Sequence, residues 1–139
     1  MKGSSDQRSA DLAALLRGLA PGLHEGVWVY AVAPAGTDLA PLAPLASFRE
    51  AEGLTVIVEE GAARAAGLEP LFRAAWITLG VASELAAVGL TAAVARCLAE
   101  ARIPCNVVAA ARHDHLFVPV EHAAEALGRL RALARSVPG

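Results

Sequence analysis

Phe72-Arg73-Ala74-Ala75-Trp76-Ile77-Thr78-Leu79 opens the stretch that decides the fold. Its β-branched and aromatic residues predict a strand on which Trp76 and Thr78 share a face. An irregular segment, Gly80–Val88, follows. Leu90, Val94, Cys97, Leu98 and Ala101 then repeat at helical spacing. Pro104 forces Ile103 out of helical geometry, so that helix is expected to end near Arg102. Cys105–Ala110 and His115–Val118 read as two strands around a turn at Arg112–Asp114. Pro119 closes the second. A last helix begins with Glu121 and Glu125 and ends with Arg129, Arg131 and Arg135, charges that suit its dipole. Its buried face is expected at Ala124, Leu127, Leu130 and Ala134. Strand, helix, strand, strand, helix is most of a ferredoxin-like unit.

Working back toward the N-terminus, the same plan recurs more weakly. Ser47–Glu50 and Leu54–Val58 flank Ala51-Glu52-Gly53 as a hairpin, with Gly53 supplying backbone freedom. A short helix over about Glu60–Ala66 is stopped by Gly67. Val27–Ala33 reads as a buried strand. Residues 34–44, with Pro34, Gly36, Pro41 and Pro44, read as a loop in place of a helix. Leu12, Leu15, Leu16 and Leu19 form the stripe of a helix over Ala10–Leu19, with Ser9 as its cap and Pro21-Gly22 as its end. Residues 1–8 read as a frayed tail. The expected architecture is α+β: two ferredoxin-like units, 9–70 and 71–139, with antiparallel sheets and helices on one face. The strand at 72–79 can close the first unit or open the second.

Composition narrows the function classes. The chain has 139 residues, 55% hydrophobic and 19% charged, enough for a core without disulfides or metals. A formal net charge of -2, with eleven scattered arginines and Lys2 as the single lysine, gives no field for nucleic acid. No apolar run reaches the length of a membrane helix, and the N-terminus lacks a signal-peptide core. Cys97 and Cys105 stand outside any C-x-x-C pair and read as reduced, buried thiols of a cytoplasmic protein. No nucleophile elbow, dinucleotide fingerprint or phosphate loop is present, so the chain does not read as an enzyme and implies no cofactor.

Two irregular points carry the candidate site. Val88, Gly89, Leu90 and Thr91 precede a helix, where exposed N–H groups and the dipole suit a carboxylate. The plainer alternative is that Gly89 permits a turn and Thr91 caps the helix. His113-Asp114-His115 is the second point. Alternate strand positions put both histidines on one face, followed by His122, but no second set of ligands completes a metal site. Asp114 is either a turn residue bonded to its own backbone or the acceptor for a ligand ammonium. Asn106 and Glu84 are further polar candidates, each with a structural alternative. Arg49, Glu50 and Glu52 read as a solvated hairpin cluster, or Arg49 faces a carboxylate across an interface. Trp28 and Trp76 read as core residues.

Phe48-Arg49-Glu50-Ala51-Glu52-Gly53-Leu54-Thr55 resembles a block of small bacterial proteins with paired ACT domains. Ala87-Val88-Gly89-Leu90-Thr91-Ala92, Asn106-Val107-Val108 and His113-Asp114-His115-Leu116-Phe117-Val118-Pro119 resemble three more. The blocks span about residues 10–133. The C-terminal half is also similar to the ACT modules of arginine sensors. One departure is Ala82-Ser83, where the family pattern has two small hydroxyl residues. The resemblance implies a βαββαβ plan for each half and a regulatory role. It also implies amino-acid binding at an interface between ACT units, near the loop after the first strand. A homodimer is expected from exposed sheet edges. Two alternatives stay open: a ligand-free assembly scaffold, or a small enzyme centred on His113-Asp114-His115.

Overall fold

The computed structural model describes residues 11–138. The expected Ser9 cap and N-terminal tail lie outside these residues. The chain forms two compact units, and they do not follow its linear halves. One unit is a continuous segment, Glu25–Ala75. The other joins the residues up to His24 with those from Trp76 onward.

The continuous unit contains strands β2 (Trp28–Ala33), β3 (Ala46–Glu50) and β4 (Gly53–Glu59), helix α2 (Glu60–Ala65) and the first half of β5 (Phe72–Leu79). Strand order is β3-β4-β2-β5, with antiparallel pairing throughout. The hairpin turns at Ala51-Glu52, with Glu50 opposite Gly53. Gly53 has φ 149, and a β-carbon there would lie 2.8 Å from Val32 Cγ1 and 3.2 Å from the Ala33 carbonyl. Its absence of a side chain therefore serves the close approach of β2 as well as the turn. The proline-rich loop replaces a helix with one turn of 3₁₀ helix, Ala40–Leu42. That turn delivers Leu42 into a core of Val29, Ala31, Val56, Val58 and Ala63. Arg73 on β5 makes a two-pronged ion pair with Glu60 at 2.5 and 3.1 Å. The charge-assisted bond to Arg73 holds the Glu60 carboxyl below its ordinary range.

The second unit contains helix α1 (residues 11–17), β1 (Pro21–Leu23), the second half of β5, α3 (Leu90–Glu100), β6 (Asn106–Ala109), β7 (Asp114–Pro119) and α4 (Ala123–Ser136). Strand order is β1-β5-β7-β6. β1 was not expected, because Pro21-Gly22 reads as a helix stop. Its strand character comes from long-range pairing, with Pro21 opposite Leu79 and Leu23 opposite Ile77. The 72–79 strand thus serves both units, Phe72–Ala75 in one and Trp76–Leu79 in the other.

Alternation sends Ile77, Leu79, Leu116 and Val118 to the helix-bearing face, where they are buried with Leu90, Val94 and Leu98 of α3. From α4 the buried residues are Ala126 and Leu130, while Ala124 is exposed. The inward face is rotated from the expected one because alanines and leucines line several sides of α4. The β6–β7 turn spans residues 110–113, so Asp114 begins a strand. Only His115 of the two neighbouring histidines stands on that strand. Cys97 and Cys105 are free thiols, both half-buried rather than fully buried.

Candidate functional site

α1 and the 80–89 loop enclose a concavity of about 540 Å³ within the second unit. Its wall is Asp11, Leu12, Ala14 and Leu15 from the helix, and Ala82, Glu84 and Ala86–Val88 from the loop. The first part of the loop, residues 80–83, is pinned by hydrogen bonds. Gly80 N–H donates to the Ala20 carbonyl at 2.9 Å and Val81 N–H to Leu19 at 3.3 Å. A β-carbon on Gly80 would come within 2.9 Å of the Ala20 carbonyl oxygen, so glycine is what lets these backbones meet. Ser83 N–H donates to the Arg112 carbonyl at 2.9 Å. His113 Nδ1 lies 3.2 Å from the Val81 carbonyl, which only accepts, so that nitrogen carries the proton. The 80–89 loop and the β6–β7 turn are therefore in direct contact.

The candidate residues fall into four groups. Glu84 and Val88 line the concavity, and Val88 is 73% exposed. Gly89 caps α3 with φ 104 and no side-chain bond, and Leu12 Cδ2 would meet its β-carbon at 2.9 Å. Thr91 is exposed and does not occupy the cap position, and Leu90 is buried at 3% exposure, so its side chain belongs to the core. His113 bridges to the loop, while Asp114 is only 7% exposed and stands outside the concavity wall. Asn106 pairs with Phe117, whereas Ala109 pairs with Asp114. Asn106 is thus at the far end of the hairpin, about 10 Å away by strand rise. The structure gathers Glu84, Val88, Gly89 and His113 into adjoining loops and leaves Asn106 apart. The α1 wall was missed. Its leucine stripe was visible, but nothing local shows what it packs on.

A second cluster crosses β1, β5 and β7 on the helix-free face. The His24 ring stacks on Trp76 at 3.5 Å and 9°. His24 Nε2 lies 2.7 Å from Thr78 Oγ1, and Thr78 Oγ1 lies 3.0 Å from His115 Nδ1. Trp76 Nε1 donates to the same His115 nitrogen at 3.1 Å. Trp76 and Thr78 do share a face, but Trp76 and Trp28 are half-buried rather than core residues. Burial lowers the pKa of His24. Burial is also the main cause that lowers His115, with His113 and His24 adding to it and Asp114 opposing. His122 stands apart, 3.9 Å from Glu125. Among the described residues no group of three or more His, Cys, Asp or Glu side chains is placed to hold a metal.

Residues 9–75 and residues 72–132 each match an ACT domain. The chain is a tandem ACT-domain protein. ACT domains are small-molecule-binding regulatory modules rather than catalysts, which gives this tandem protein a regulatory, non-catalytic role. Its structure is similar to a Vibrio cholerae protein of unknown function described as a possible transport protein. The two are 44% identical with a TM-score of 0.82, over 91% of this chain and 98% of that one. It shares the fold of Escherichia coli aspartokinase III in complex with aspartate and ADP, at 12% identity and TM-score 0.58, over 82% of this chain and 33% of that one. The regulatory subunit of Thermus flavus aspartate kinase gives 12% identity and TM-score 0.54, over 82% and 96% of the two chains. No curated protein sequence matches the tandem protein. Among the described residues, no helix is long and apolar enough to cross a membrane.

Proposed function

We propose that this tandem ACT-domain protein is an amino-acid sensor whose ligand enters the concavity between α1 and the 80–89 loop. The observation that carries the reading is the wall itself: the Glu84 carboxylate beside the end of the loop that leads into α3. An amino acid needs an acceptor for its ammonium and donors for its carboxylate. Glu84 supplies the first. The amides at Val88, Gly89, Leu90 and Thr91, at the positive end of α3, supply the second. His113 holds the loop through Val81.

In this reading the two ACT repeats divide at 70/71, near the meeting point of the two family matches. The protein is cytoplasmic and works as a homodimer through its outer strands, β3 and β6. Ligand binding then biases a partner by favouring one arrangement of the assembly.

Thermal-shift measurements against the twenty amino acids test the proposal. At least one should raise the midpoint, and Glu84→Gln should reduce that shift while leaving the unliganded midpoint unchanged. Val88→Trp, which fills the exposed mouth, should abolish it. No shift from any amino acid, with an intact dimer in solution, would favour the second reading of a ligand-free scaffold. Phe48, 72% exposed on β3, is the observation behind that reading.

A further inference from the structure

Trp76 Nε1 can only donate, so His115 Nδ1, 3.1 Å away, carries no proton. His115 is therefore the neutral Nε2–H tautomer. One hydroxyl proton must serve the rest of the cluster. The arrangement that leaves no two lone pairs facing runs from His24 Nε2–H to Thr78 Oγ1, and from Thr78 O–H to His115 Nδ1. His24 is the residue immediately after β1. Its backbone N–H donates to the Trp76 carbonyl at 2.9 Å, so backbone bond, side-chain bond and ring stack all converge there. β1 itself pairs through only three residues, and α1 precedes it directly.

We propose that His24 and His115, joined through Thr78, form a proton-operated latch that holds the α1–β1 segment against β5. A proton arriving at His115 Nδ1 faces the Trp76 N–H and removes its acceptor. The Thr78 hydroxyl must turn away. If His24 is also charged, two cations share one oxygen. The charged and titratable groups acting on His115 are His113, His24 and Asp114. β5 and β6 bring only uncharged Trp76, Thr78 and Val108 to it. Asp114 points to the opposite sheet face and is the weakest of these influences. Of the two strands joined to β5 by the cluster, β1 is the shorter and is the one that lets go. The latch does not depend on any ligand. On the amino-acid reading, its release also removes one wall of the concavity.

Trp28→Phe leaves Trp76 as the sole indole reporter. In that background, emission should change as the pH is lowered from 8 to 5.5, with a midpoint below 6.5. Protection factors of residues 12–24, with rates corrected for the intrinsic pH dependence of amide exchange, should fall at least tenfold over the same range, while those of β4 stay constant. His115→Gln keeps an acceptor for Trp76 and cannot take the proton, so both responses should flatten. In the unsubstituted protein at pH 7.5, the ¹⁵N shift of His115 Nδ1 should be that of an unprotonated ring nitrogen, a readout that requires no variant. A protonated Nδ1 at that pH, or unchanged protection factors of residues 12–24 between pH 8 and 5.5, overturns the latch.

Discussion

Replacing Gly89 with alanine separates two ways in which the start of α3 is held. Gly89 has φ 104, where a β-carbon costs about 1–2 kcal/mol. The less flexible unfolded chain returns about 0.4–1 kcal/mol of that. The new β-carbon also lies 2.9 Å from Leu12 Cδ2. Because the clash is with the end of a half-buried, flexible side chain, Leu12 swings aside rather than forcing the backbone. An off-rotamer leucine costs about 0.5–1.5 kcal/mol. The net loss expected for Gly89→Ala is therefore about 2 kcal/mol. Urea unfolding should show it as a lower midpoint at unchanged slope. Leu12→Ala removes the clash but not the backbone strain, so in that background Gly89→Ala should cost only about 1 kcal/mol, a coupling of about 1 kcal/mol. Equal costs in both backgrounds would refute the placement of Leu12 on Gly89, and with it the position of α1. Neutrality in both would refute the positive φ.

Gly53→Ala should destabilise more, by about 3 kcal/mol, because its φ of 149 is strained and the Ala33 carbonyl at 3.2 Å cannot move aside as a side chain can. Chemical denaturation of the two variants side by side checks the ranking. Gly128→Ala on α4 meets nothing within 4 Å and should raise stability by about 0.5–1 kcal/mol. Burial pushes the Cys105 thiol up to about 11, from an ordinary value of 9.0, so its thiolate fraction near neutral pH is roughly 100-fold below that of an exposed cysteine. Iodoacetamide labelling followed by mass spectrometry should find it slow until the protein is unfolded. The folded-state pKa values of His24 and His115 are depressed. Their contribution to stability is full above the unfolded value of about 6.5 and is lost as the pH falls from there through the folded values. A denaturation midpoint that rises with pH across this window, and a flatter profile in a His24→Gln, His115→Gln double variant, is the expected result.

The sequence made some elements plain and hid others for physical reasons. The β3–β4 hairpin was readable because Gly53 is a local turn signal between the runs Ser47–Glu50 and Leu54–Val58. The α3 face was readable because Leu90, Val94 and Leu98 repeat at one helical period and are the residues buried. β1 was not, because proline and glycine stop helices locally and become a strand only when Leu79 and Thr78 supply partners. The same long-range pairing brings His24 to Trp76, so no local pattern announces the histidine cluster. The two irregular points singled out in the sequence lie in adjoining loops, joined directly by the Ser83 and His113 bonds. The pairing of His113 with His115 failed because a turn extending to residue 113 takes His113 off the strand.

The wall of the concavity sets a constraint on any anionic ligand group. Among the described residues, the wall of Asp11, Leu12, Ala14, Leu15, Ala82, Glu84, Ala86, Ala87 and Val88 includes no lysine, arginine or histidine. From that described wall, the donors for a ligand carboxylate are backbone N–H groups. Four loop amides are already engaged: Gly80 with Ala20, Val81 with Leu19, Ser83 with Arg112 and Ala87 with Glu84. The donors the proposal assigns to the carboxylate are those leading into α3, and Leu12 covers Gly89 on one side. Side-chain substitution can therefore weaken the ammonium end of the site but has little purchase on the carboxylate end. An amine lacking the carboxylate is the sharper probe. If it matches the affinity of the full amino acid, the α3 amides are not part of the site. If its affinity is at least tenfold weaker, backbone recognition at Val88–Thr91 accounts for the difference, worth about 1.4 kcal/mol or more.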